Sequence, residues 1–346
     1  MRVKKAKAAI LVRSREPLVV DQIEFPAELE AGQVLVRVLH TTICGAQINE
    51  IEAVKGPDKF LPHLLGHEAA ATVMEIGPGV AHVAPGNTVV MHWRPGRGIQ
   101  SAPAAYRWRG EKLNAGWVTT FNEYAVVSEN RLTPISSSYD LKLAPLFGCA
   151  VTTAAGVINN DARVKVGESV VVFGVGGVGL NVVQFAQLAG AHPIVAVDLV
   201  ESKLEMAKTR GATHVINASA VEDVGAEVRK IVGSSGADKV VETTGAKFVI
   251  ENAYDLASAN GTCVLVGVPS EKVTINTLPI HFDKVLTGSH GGGAIPHVDI
   301  PRLIRLNEAG RISLAGIITH EFGLNDINTA LDTVRTGAAG RVLINL

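Results

Sequence analysis

Cysteine, aromatic residues and net charge are all scarce in this chain of 346 residues. It holds three cysteines, 5% aromatic residues and a formal net charge of −1. Three cysteines cannot form a disulfide framework at this length, and an odd number of thiols is typical of a reducing compartment. We therefore expect a cytoplasmic protein whose thiols are available for metals or chemistry. The balanced charge argues against binding nucleic acid through bulk charge.

Long apolar runs are also missing, with one deceptive exception. Residues 169–197 contain no Asp, Glu, Lys or Arg, a length that could span a bilayer. Gly174, Gly176, Gly177, Gly179 and Pro193 divide this run into a strand, a turn, a helix and a second strand. Strands of a parallel sheet that is covered on both faces are continuously apolar. We therefore interpret the run as a buried β-α-β unit and predict no membrane segment.

Two patterns of secondary structure divide the chain, whose length suits about two domains. Residues 1 to about 150 contain short β-branched runs separated by turns, which is typical of an irregular all-β domain. Residues from about 150 to 290 alternate strands with helical stretches, the pattern of a doubly wound parallel sheet. The tail is too short for a domain of its own. We predict one mostly-β domain from residues 1–149 and 291–346, and one α/β domain from residues 150–290.

The strongest local motif is an apolar strand followed by the turn GVGGVG at residues 174–179 and a helical run. In such a turn, glycines let the chain turn tightly, approach a pyrophosphate and pack the helix on the strand. Asp198 ends the next strand, where a carboxylate accepts ribose hydroxyls and repels a 2′-phosphate. We therefore predict NAD as the cofactor, rather than NADP. The alternative is a glycine-rich turn without a ligand, with Asp198 as an ordinary loop residue.

Cys44, His67 and Cys149 are candidate metal ligands, although their spacing identifies no motif by itself. Their settings are more specific, and they occur with further short motifs along the whole chain. These segments are Gly66-His67-Glu68-Ala69-Ala70, Phe147-Gly148-Cys149, the glycine turn with Asp198 and Lys203, Val266-Gly267-Val268, and Gly340-Arg341-Val342-Leu343. Together they resemble the zinc-dependent medium-chain alcohol dehydrogenases. The resemblance implies a GroES-like catalytic domain that precedes and follows a Rossmann domain.

By that resemblance, Cys44, His67 and Cys149 would bind one catalytic zinc, with Glu68 beside the metal as an alternative ligand or a supporting carboxylate. Two thiolates and one imidazole leave a fourth tetrahedral position for water or a substrate oxygen. The zinc would stabilise an alkoxide that loses a hydride to nicotinamide. The alternative is that the cysteines are small buried hydrophobic residues and His67 is a core histidine. Cys263 lies in a predicted buried strand, and we interpret it as packing.

The same resemblance assigns residues around the cofactor and the substrate. Arg341 would bind the pyrophosphate, with a surface ion pair as the alternative, and Lys203 is equally compatible with a ribose contact and with a surface helix. The expected cofactor-binding residues are Thr153, Gly174, Gly176, Gly177, Val178, Gly179, Asp198, Lys203, Val266, Gly267, Val268 and Arg341. Trp93 would form a wall of the substrate pocket, and Asn49 and His290 are further pocket candidates. Because relatives are usually oligomers, we expect a homodimer or homotetramer.

The sequence departs from the family pattern at several points. Residues 92–130 contain no cysteine, so the four-cysteine structural zinc of many relatives is predicted to be absent. Ala46 replaces a Ser or Thr that passes the alcohol proton outward, and alanine cannot relay a proton. Gln47 stands where an Asp commonly supports the metal, and Asn49 lies near the position of a relay histidine. The proton route stays open among His40, Thr41, Thr42, His290, the ribose hydroxyls and bound water.

The segment from Trp93 to Lys112 is basic and rich in aromatic residues. It carries five cationic side chains against one Glu, interleaved with two tryptophans and a tyrosine. One hypothesis is that Arg107 and Arg109 recognise a polar or anionic substrate, such as a sugar, polyol or nucleotide sugar, by stacking and charge. The alternative is a solvated loop or a subunit interface, since exposed arginines seldom need a ligand.

These observations predict a zinc-dependent dehydrogenase that transfers a hydride between NAD(H) and a secondary alcohol, polyol or sugar-like substrate. Two alternatives stay open. One is a zinc-free quinone or enoyl reductase of the same superfamily. The other is a catalytically silent NAD-binding protein, which Ala46 and Gln47 make conceivable.

Overall fold

The computed structural model of the protein describes residues 1, 3–337 and 339–346. Its strands are β1 Lys5–Leu11, β2 Val19–Glu24, β3 Gln33–Ile43, β4 His63–Leu64, β5 Ala69–Ile76, β6 Thr88–Met91, β7 Tyr106–Trp108, β8 Glu111–Leu113, β9 Tyr124–Ser128, β10 Leu132–Pro134, β11 Val170–Phe173, β12 Ile194–Asp198, β13 His214–Asn217, β14 Ala237–Glu242, β15 Ala257–Leu265, β16 Val285–Gly288, β17 Ile318–Gly323 and β18 Arg341–Asn345. Its α-helices are α1 Gly45–Ile51, α2 Ala150–Gly156, α3 Gly179–Leu188, α4 Glu201–Thr209, α5 Val224–Val232, α6 Lys247–Leu256, α7 Pro296–Glu308 and α8 Ile327–Arg335.

The first of two compact units contains Met1–Cys149, Ile295–Arg305 and Leu314–Leu346. It holds a five-stranded sheet of order β4-β1-β2-β7-β8. Its second sheet has seven strands in the order β10-β6-β5-β3-β18-β17, and β9 also pairs with β3. The short strands and tight turns that the sequence shows before residue 150 therefore form a mostly-β unit.

Strand β3 organises the first unit, because β5, β9 and β18 all pair with it. Val34, Val36 and Val38 alternate along β3 into one apolar core, as expected for a strand with a buried face. Strand β18 runs antiparallel to the other end of β3, with Val342 opposite Ile43. This pairing brings Arg341 to the end of β3, immediately before Cys44.

The second unit contains Ala150–Ala294 and Leu306–Ser313. Its six strands are all parallel and have the order β13-β12-β11-β14-β15-β16. Strand β11 is buried throughout, which agrees with its unbroken Val-Val-Val-Phe sequence. The chain winds outward from β11 in both directions, so the crevice of a doubly wound sheet lies at the carboxyl ends of β11 and β14. The predicted fold class, a GroES-like unit with a Rossmann unit, is confirmed.

Helix α7 begins at Pro296 and contains a second proline, Pro301. The Asp299 carboxylate accepts the backbone N–H of Ile295 at 2.7 Å and so caps the beginning of the helix. Pro301 lies in the second turn and has no N–H to donate to the His297 carbonyl, so α7 lacks one internal hydrogen bond there. Across the described residues, every helix is too short or too polar to cross a lipid bilayer.

Candidate active site

Three potential metal ligands converge within the first unit. Cys44 follows β3 and caps α1, His67 lies between β4 and β5, and Cys149 follows a 3-10 turn. One ligand atom from each residue lies within 4.8 Å of the others. Residues that are 23 and 82 positions apart in sequence therefore meet at one point. Two sulfur atoms and one imidazole nitrogen at this separation form a ligand set that zinc prefers.

A glycine precedes two of these three residues for a steric reason. Gly66 has a φ of +90°, and a Cβ there would collide with the Thr120 hydroxyl. A Cβ on Gly148 would collide with the Met91 carbonyl oxygen and come within 2.9 Å of the Glu68 Cβ. The absence of a side chain at both glycines lets the backbone pack closely against its neighbours, and this close packing positions the ligands that follow, His67 and Cys149.

The electrostatics of the three residues suit a cation. A hydrogen bond from Cys149, together with the positive charge of Arg341, holds the pKa of the Cys44 thiol well below its ordinary value. Burial opposes a charge on the His67 ring, but the adjacent Cys44 sulfur outweighs burial and raises the pKa of the imidazole. Within the described residues, the buried His67 Nε2 makes no hydrogen bond. A thiolate and an unpartnered ring nitrogen thus face the same small space.

Gln47 links two of the ligands. Its Oε1 accepts the backbone N–H of Cys44 at 3.1 Å, and its amide group is in hydrogen-bond contact with His67 Nδ1. The side chain is buried on the first turn of α1. A partner on Nδ1 holds the ring in place and leaves Nε2, which has no hydrogen-bond partner among the described residues, as the nitrogen free to bind a metal.

Glu68 lies beside the three residues and is not part of the group of ligand atoms. Its Oε1 accepts the Thr42 hydroxyl at 2.7 Å and the Arg341 guanidinium at 3.0 Å. Burial raises the pKa of the Glu68 carboxyl, and the Arg341 charge opposes that rise. Arg341 also donates to the Ile43 carbonyl at 3.2 Å, and its side chain is buried. The structure therefore places Arg341 against a carboxylate and the end of β3, and it is not a surface ion pair.

The glycine turn of the second unit has the geometry that its sequence predicts. Gly174 has a φ of +80°, and a Cβ on Gly179 would collide with the Gly174 carbonyl oxygen. At Gly176, by contrast, a Cβ would meet no heavy atom within 4 Å. The first and last glycines are therefore needed by the fold itself, while Gly176 keeps a space open beside the backbone.

The other expected cofactor residues of the second unit lie mostly at the carboxyl ends of its strands. Asp198 ends β12, and its carboxylate accepts the N–H groups of Val175 and Val200 at 2.8 and 3.0 Å. Residues 266–268 follow β15, and a Cβ on Gly267 would collide with the Gly245 nitrogen. Thr153 is buried in α2, and Lys203 is buried in α4 rather than exposed on a helix surface. Gly177 accepts a hydrogen bond from the Asn181 amide, and Val178 caps α3.

A cavity of about 720 Å³ opens in the first unit against Gln47 and His67. Glu50, Asp58, His63 and Trp117 also line it. None of these four was singled out in the sequence, because no motif marks them and they come from separate loops and helices. Only Glu50 could have been linked to the site from the sequence. It lies three residues after Gln47, and this spacing places both side chains on one face of α1.

The role of the pocket residues expected from the sequence stays a prediction. Trp93, Asn49 and His290 do not line this cavity. Trp93 carries the Arg94 guanidinium at 5.6 Å from its ring centre, and His290 belongs to the second unit.

The basic and aromatic segment 93–112 is mostly a surface structure. Arg109 pairs with Asp21 at 3.0 Å and stacks on Trp108, whose indole donates to the same carboxylate. Arg107 donates to the Gly110 carbonyl within its own hairpin. Of the five cationic residues in the segment, Lys112 alone lines the cavity. This placement favours the structural interpretation of the arginines over substrate recognition.

The comparisons with known proteins agree with this geometry. Residues 30–137 match the family model described as alcohol dehydrogenase GroES-like domain, and residues 177–309 match that of zinc-binding dehydrogenase. S-(hydroxymethyl)glutathione dehydrogenase of Photobacterium damsela subsp. piscicida is 32% identical, over 99% of this chain and 100% of that protein. Alcohol dehydrogenase 1 of Pisum sativum is 29% identical, over 99% and 97%.

Solved structures give the same result. The alcohol dehydrogenase zinc-binding domain protein from Burkholderia ambifaria matches with a TM-score of 0.90 and 28% identity, covering 99% of both chains. Benzyl alcohol dehydrogenase from Acinetobacter calcoaceticus matches with a TM-score of 0.88 and 25% identity, covering 99% of this chain and 100% of that one. The chain belongs to the zinc-dependent medium-chain dehydrogenase family. It is an oxidoreductase of the alcohol dehydrogenase type.

Proposed function

We propose that the protein transfers a hydride between NAD(H) and a secondary alcohol, polyol or sugar-like substrate, with one catalytic zinc per subunit and no structural zinc. The observation that carries this proposal is the convergence of Cys44, His67 and Cys149 to within 4.8 Å in the first unit. A zinc-free reductase has no use for such a ligand set, so the cluster favours the zinc-dependent reaction over that alternative. The lowered pKa of the Cys44 thiol supports the same conclusion.

Cys44, His67 and Cys149 would hold the zinc, and the observed donor set fits this metal. A zinc bound there supplies Lewis acidity, which stabilises negative charge on the substrate oxygen. Gln47 would orient the His67 ring through Nδ1. Glu68 would act on the site indirectly, because Thr42 and Arg341 hold one of its oxygens. The Glu68 Oε2 is buried without a hydrogen-bond partner in the described chain and stays available to a cation.

The second unit would bind NAD at the carboxyl ends of β11, β12 and β15. Backbone amides at the beginning of α3 would face the pyrophosphate, in the space that Gly176 leaves open. Asp198 would accept the ribose hydroxyls, and Val178 with residues 266–268 would line the nicotinamide side. Arg341 would assist the pyrophosphate while it is held by Glu68.

The observed hydrogen bonds argue against some of the residues expected to relay the alcohol proton. The Thr42 hydroxyl donates to Glu68 Oε1, and the Thr41 hydroxyl donates to the Glu68 carbonyl. Both hydroxyl hydrogens are therefore already engaged within a buried region. His40 Nδ1 is hydrogen-bonded to the Asn345 side chain at 2.9 Å. Bound water and the ribose hydroxyls are the routes that these contacts favour.

Metal analysis and turnover test the proposal together. We expect one equivalent of zinc per chain and NAD-dependent oxidation of alcohols, followed by the absorbance of the reduced cofactor. The Cys44→Ser variant should lose the zinc and the turnover, whereas Cys263→Ser should keep both, because Cys263 lies in the core of the second unit. Less than a tenth of an equivalent of zinc in an active protein would overturn the proposal in favour of a zinc-free reductase. Turnover that survives Cys44→Ser would do the same.

We also propose a cytoplasmic homodimer or homotetramer. In the second unit, Leu278, Phe282 and Val285 are exposed around the edge strand β16. An apolar sheet edge of this kind is usually covered by another chain. Sedimentation equilibrium measures the assembly directly, and a monomer at micromolar concentration would contradict it.

A further inference from the structure

The cavity in the first unit adjoins the candidate metal centre through one side chain. The imidazole of His67 forms part of both, since its ring is one of the three ligands and also lines the cavity. At about 720 Å³, the cavity is large enough for a substrate of several carbon atoms. Phe60 and Trp117 contribute aromatic faces to its wall, and both are more than 40% exposed.

Most polar groups on this wall are already hydrogen-bonded to each other. His63 Nε2 is hydrogen-bonded to Asp58 at 2.7 Å, and His63 Nδ1 lies 3.0 Å from the Leu64 carbonyl oxygen. The Asn114 amide donates to the Phe60 carbonyl at 2.7 Å. These contacts fix the shape of the wall. They leave Asp58 and His63 with little capacity to bind a ligand.

The Glu50 carboxylate is different. It lines the cavity, and the described residues offer it neither a hydrogen bond nor an ion pair. The side chain is exposed, and the protein atoms packed around it raise the pKa of its carboxyl. The charged or titratable groups that face it are His63, His67, Asp58 and Lys55. An exposed carboxylate on a cavity wall, with no protein donor of its own, is suited to a ligand that donates hydrogen bonds.

We propose that the substrate is a polyol and that Glu50 is a specificity-determining residue, accepting hydrogen bonds from hydroxyl groups remote from the reacting carbon. This inference rests on the proposed dehydrogenase function. Helix α1 couples the two ends of the substrate, because Gln47 contacts the ligand His67 and Glu50 lies one turn further along the same face.

The other wall groups agree with an uncharged, hydroxyl-rich substrate. Lys112 supplies a donor, and the faces of Phe60 and Trp117 suit the C–H surfaces of a carbon chain. An anionic substrate would be repelled by Glu50. A plain hydrocarbon chain would displace water from Glu50 and replace none of its hydrogen bonds, which a polar pocket penalises strongly.

Matched substrates test the inference on the zinc-loaded enzyme with NAD. Xylitol and sorbitol are compared with 2-pentanol and 2-hexanol, which lack the remote hydroxyls. We expect the Glu50→Gln variant to lower the ratio of polyol to alkanol kcat/KM about 10- to 100-fold, mainly through the KM of the polyol. Glu52→Gln is the control, because Glu52 caps the end of α1 two residues after Glu50 and pairs with Arg335 outside the cavity. Glu50→Asp keeps the charge but shortens its reach, and should cause an intermediate loss.

A second measurement does not depend on turnover. Trp117 lines the cavity, so polyol binding to the zinc-loaded protein without NAD should change its fluorescence, and Glu50→Gln should weaken that binding by a similar factor. An unchanged polyol-to-alkanol ratio in Glu50→Gln would overturn the inference and leave the dehydrogenase function intact. Wild-type preference for an amino alcohol or a simple alkanol would also overturn it. No oxidation of any alcohol by zinc-loaded wild type would instead reject the proposed function itself.

Discussion

Arg341 Nη1 lies 3.0 Å from Glu68 Oε1, and both side chains are buried. The two residues are 273 positions apart, and the pairing of β18 with β3 brings them together. Burial raises the pKa of the Glu68 carboxyl, whereas Glu68, together with Cys44 and Cys149, outweighs burial to raise that of Arg341. Each charge is therefore compensated mainly by the other.

Removing one member of this pair should be costly. We expect Arg341→Leu to lower the free energy of unfolding of the zinc-free protein by about 3–5 kcal/mol at pH 7, because it leaves a buried carboxylate without its cation. Arg335→Leu is the control, since its ion pairs with Glu52 and Asp332 are exposed, and it should cost less than about 1 kcal/mol. Urea unfolding measures both. Equal losses would show that the buried pair has no special role.

Gln47 offers a sharper test of the metal centre. Gln47→Leu removes the partner of His67 Nδ1 and should weaken zinc binding about 10- to 100-fold. Gln47→Glu should bind zinc at least as tightly as wild type, because a carboxylate has two acceptors that serve the Cys44 N–H and a protonated His67 Nδ1 together. Competition with a chromophoric chelator measures both affinities. A Gln47→Glu variant that binds zinc as weakly as Gln47→Leu would contradict this account.

A substitution at Gly176 distinguishes the requirements of cofactor binding from those of folding. The Gly176→Ala variant should keep the wild-type Tm, because its added Cβ meets no protein atom. It should nevertheless weaken NADH binding about tenfold or more, because the methyl group enters the space expected for the pyrophosphate. Gly179→Ala should lower the Tm as well, since its Cβ collides with the Gly174 carbonyl oxygen. Thermal melts and NADH fluorescence titrations distinguish the two variants. Unaltered NADH affinity in Gly176→Ala would place the cofactor elsewhere.

Glu129 predicts a pH dependence of stability. Its carboxylate accepts three backbone N–H groups, from Ala81, His82 and Ile99, and these bonds outweigh burial to lower its pKa. Because the folded pKa lies below the unfolded value of about 4.3, the stabilisation is present above pH 4.3 and is lost as the pH falls through the folded pKa. Glu129→Gln should cost about 1–3 kcal/mol at pH 7 and flatten the acid slope of the unfolding free energy. Glu16→Gln, at an exposed site, should change neither.

The sequence predicts those features that depend on local spacing. The alternation of strands and helices after residue 150, and the glycines at 174 and 179, follow from constraints that act within one β-α-β unit. The convergence of Cys44, His67 and Cys149 required the family resemblance, since their spacing alone identifies no site. Once the chain folds, β3, the β4–β5 connection and a 3-10 turn bring them together.

Features that depend on contacts between distant segments were not predictable. Glu50 has no motif, and its exposure to a cavity depends on loops that include Phe60 and Trp117. Arg107 and Arg109 form a conspicuous basic segment in sequence, but the structure gives them surface partners. Trp93 and Asn49 do not line the described cavity, and their expected role in the substrate pocket stays a prediction.

The pairing of β18 with β3 also bears on synthesis at the ribosome. Cys44 leaves the exit tunnel almost 300 residues before Arg341, so the nascent chain carries its thiols without the cation that helps to keep Cys44 ionised. The electrostatic environment of Cys44 is therefore complete only after the chain has been synthesised as far as Arg341 and β18 has paired with β3.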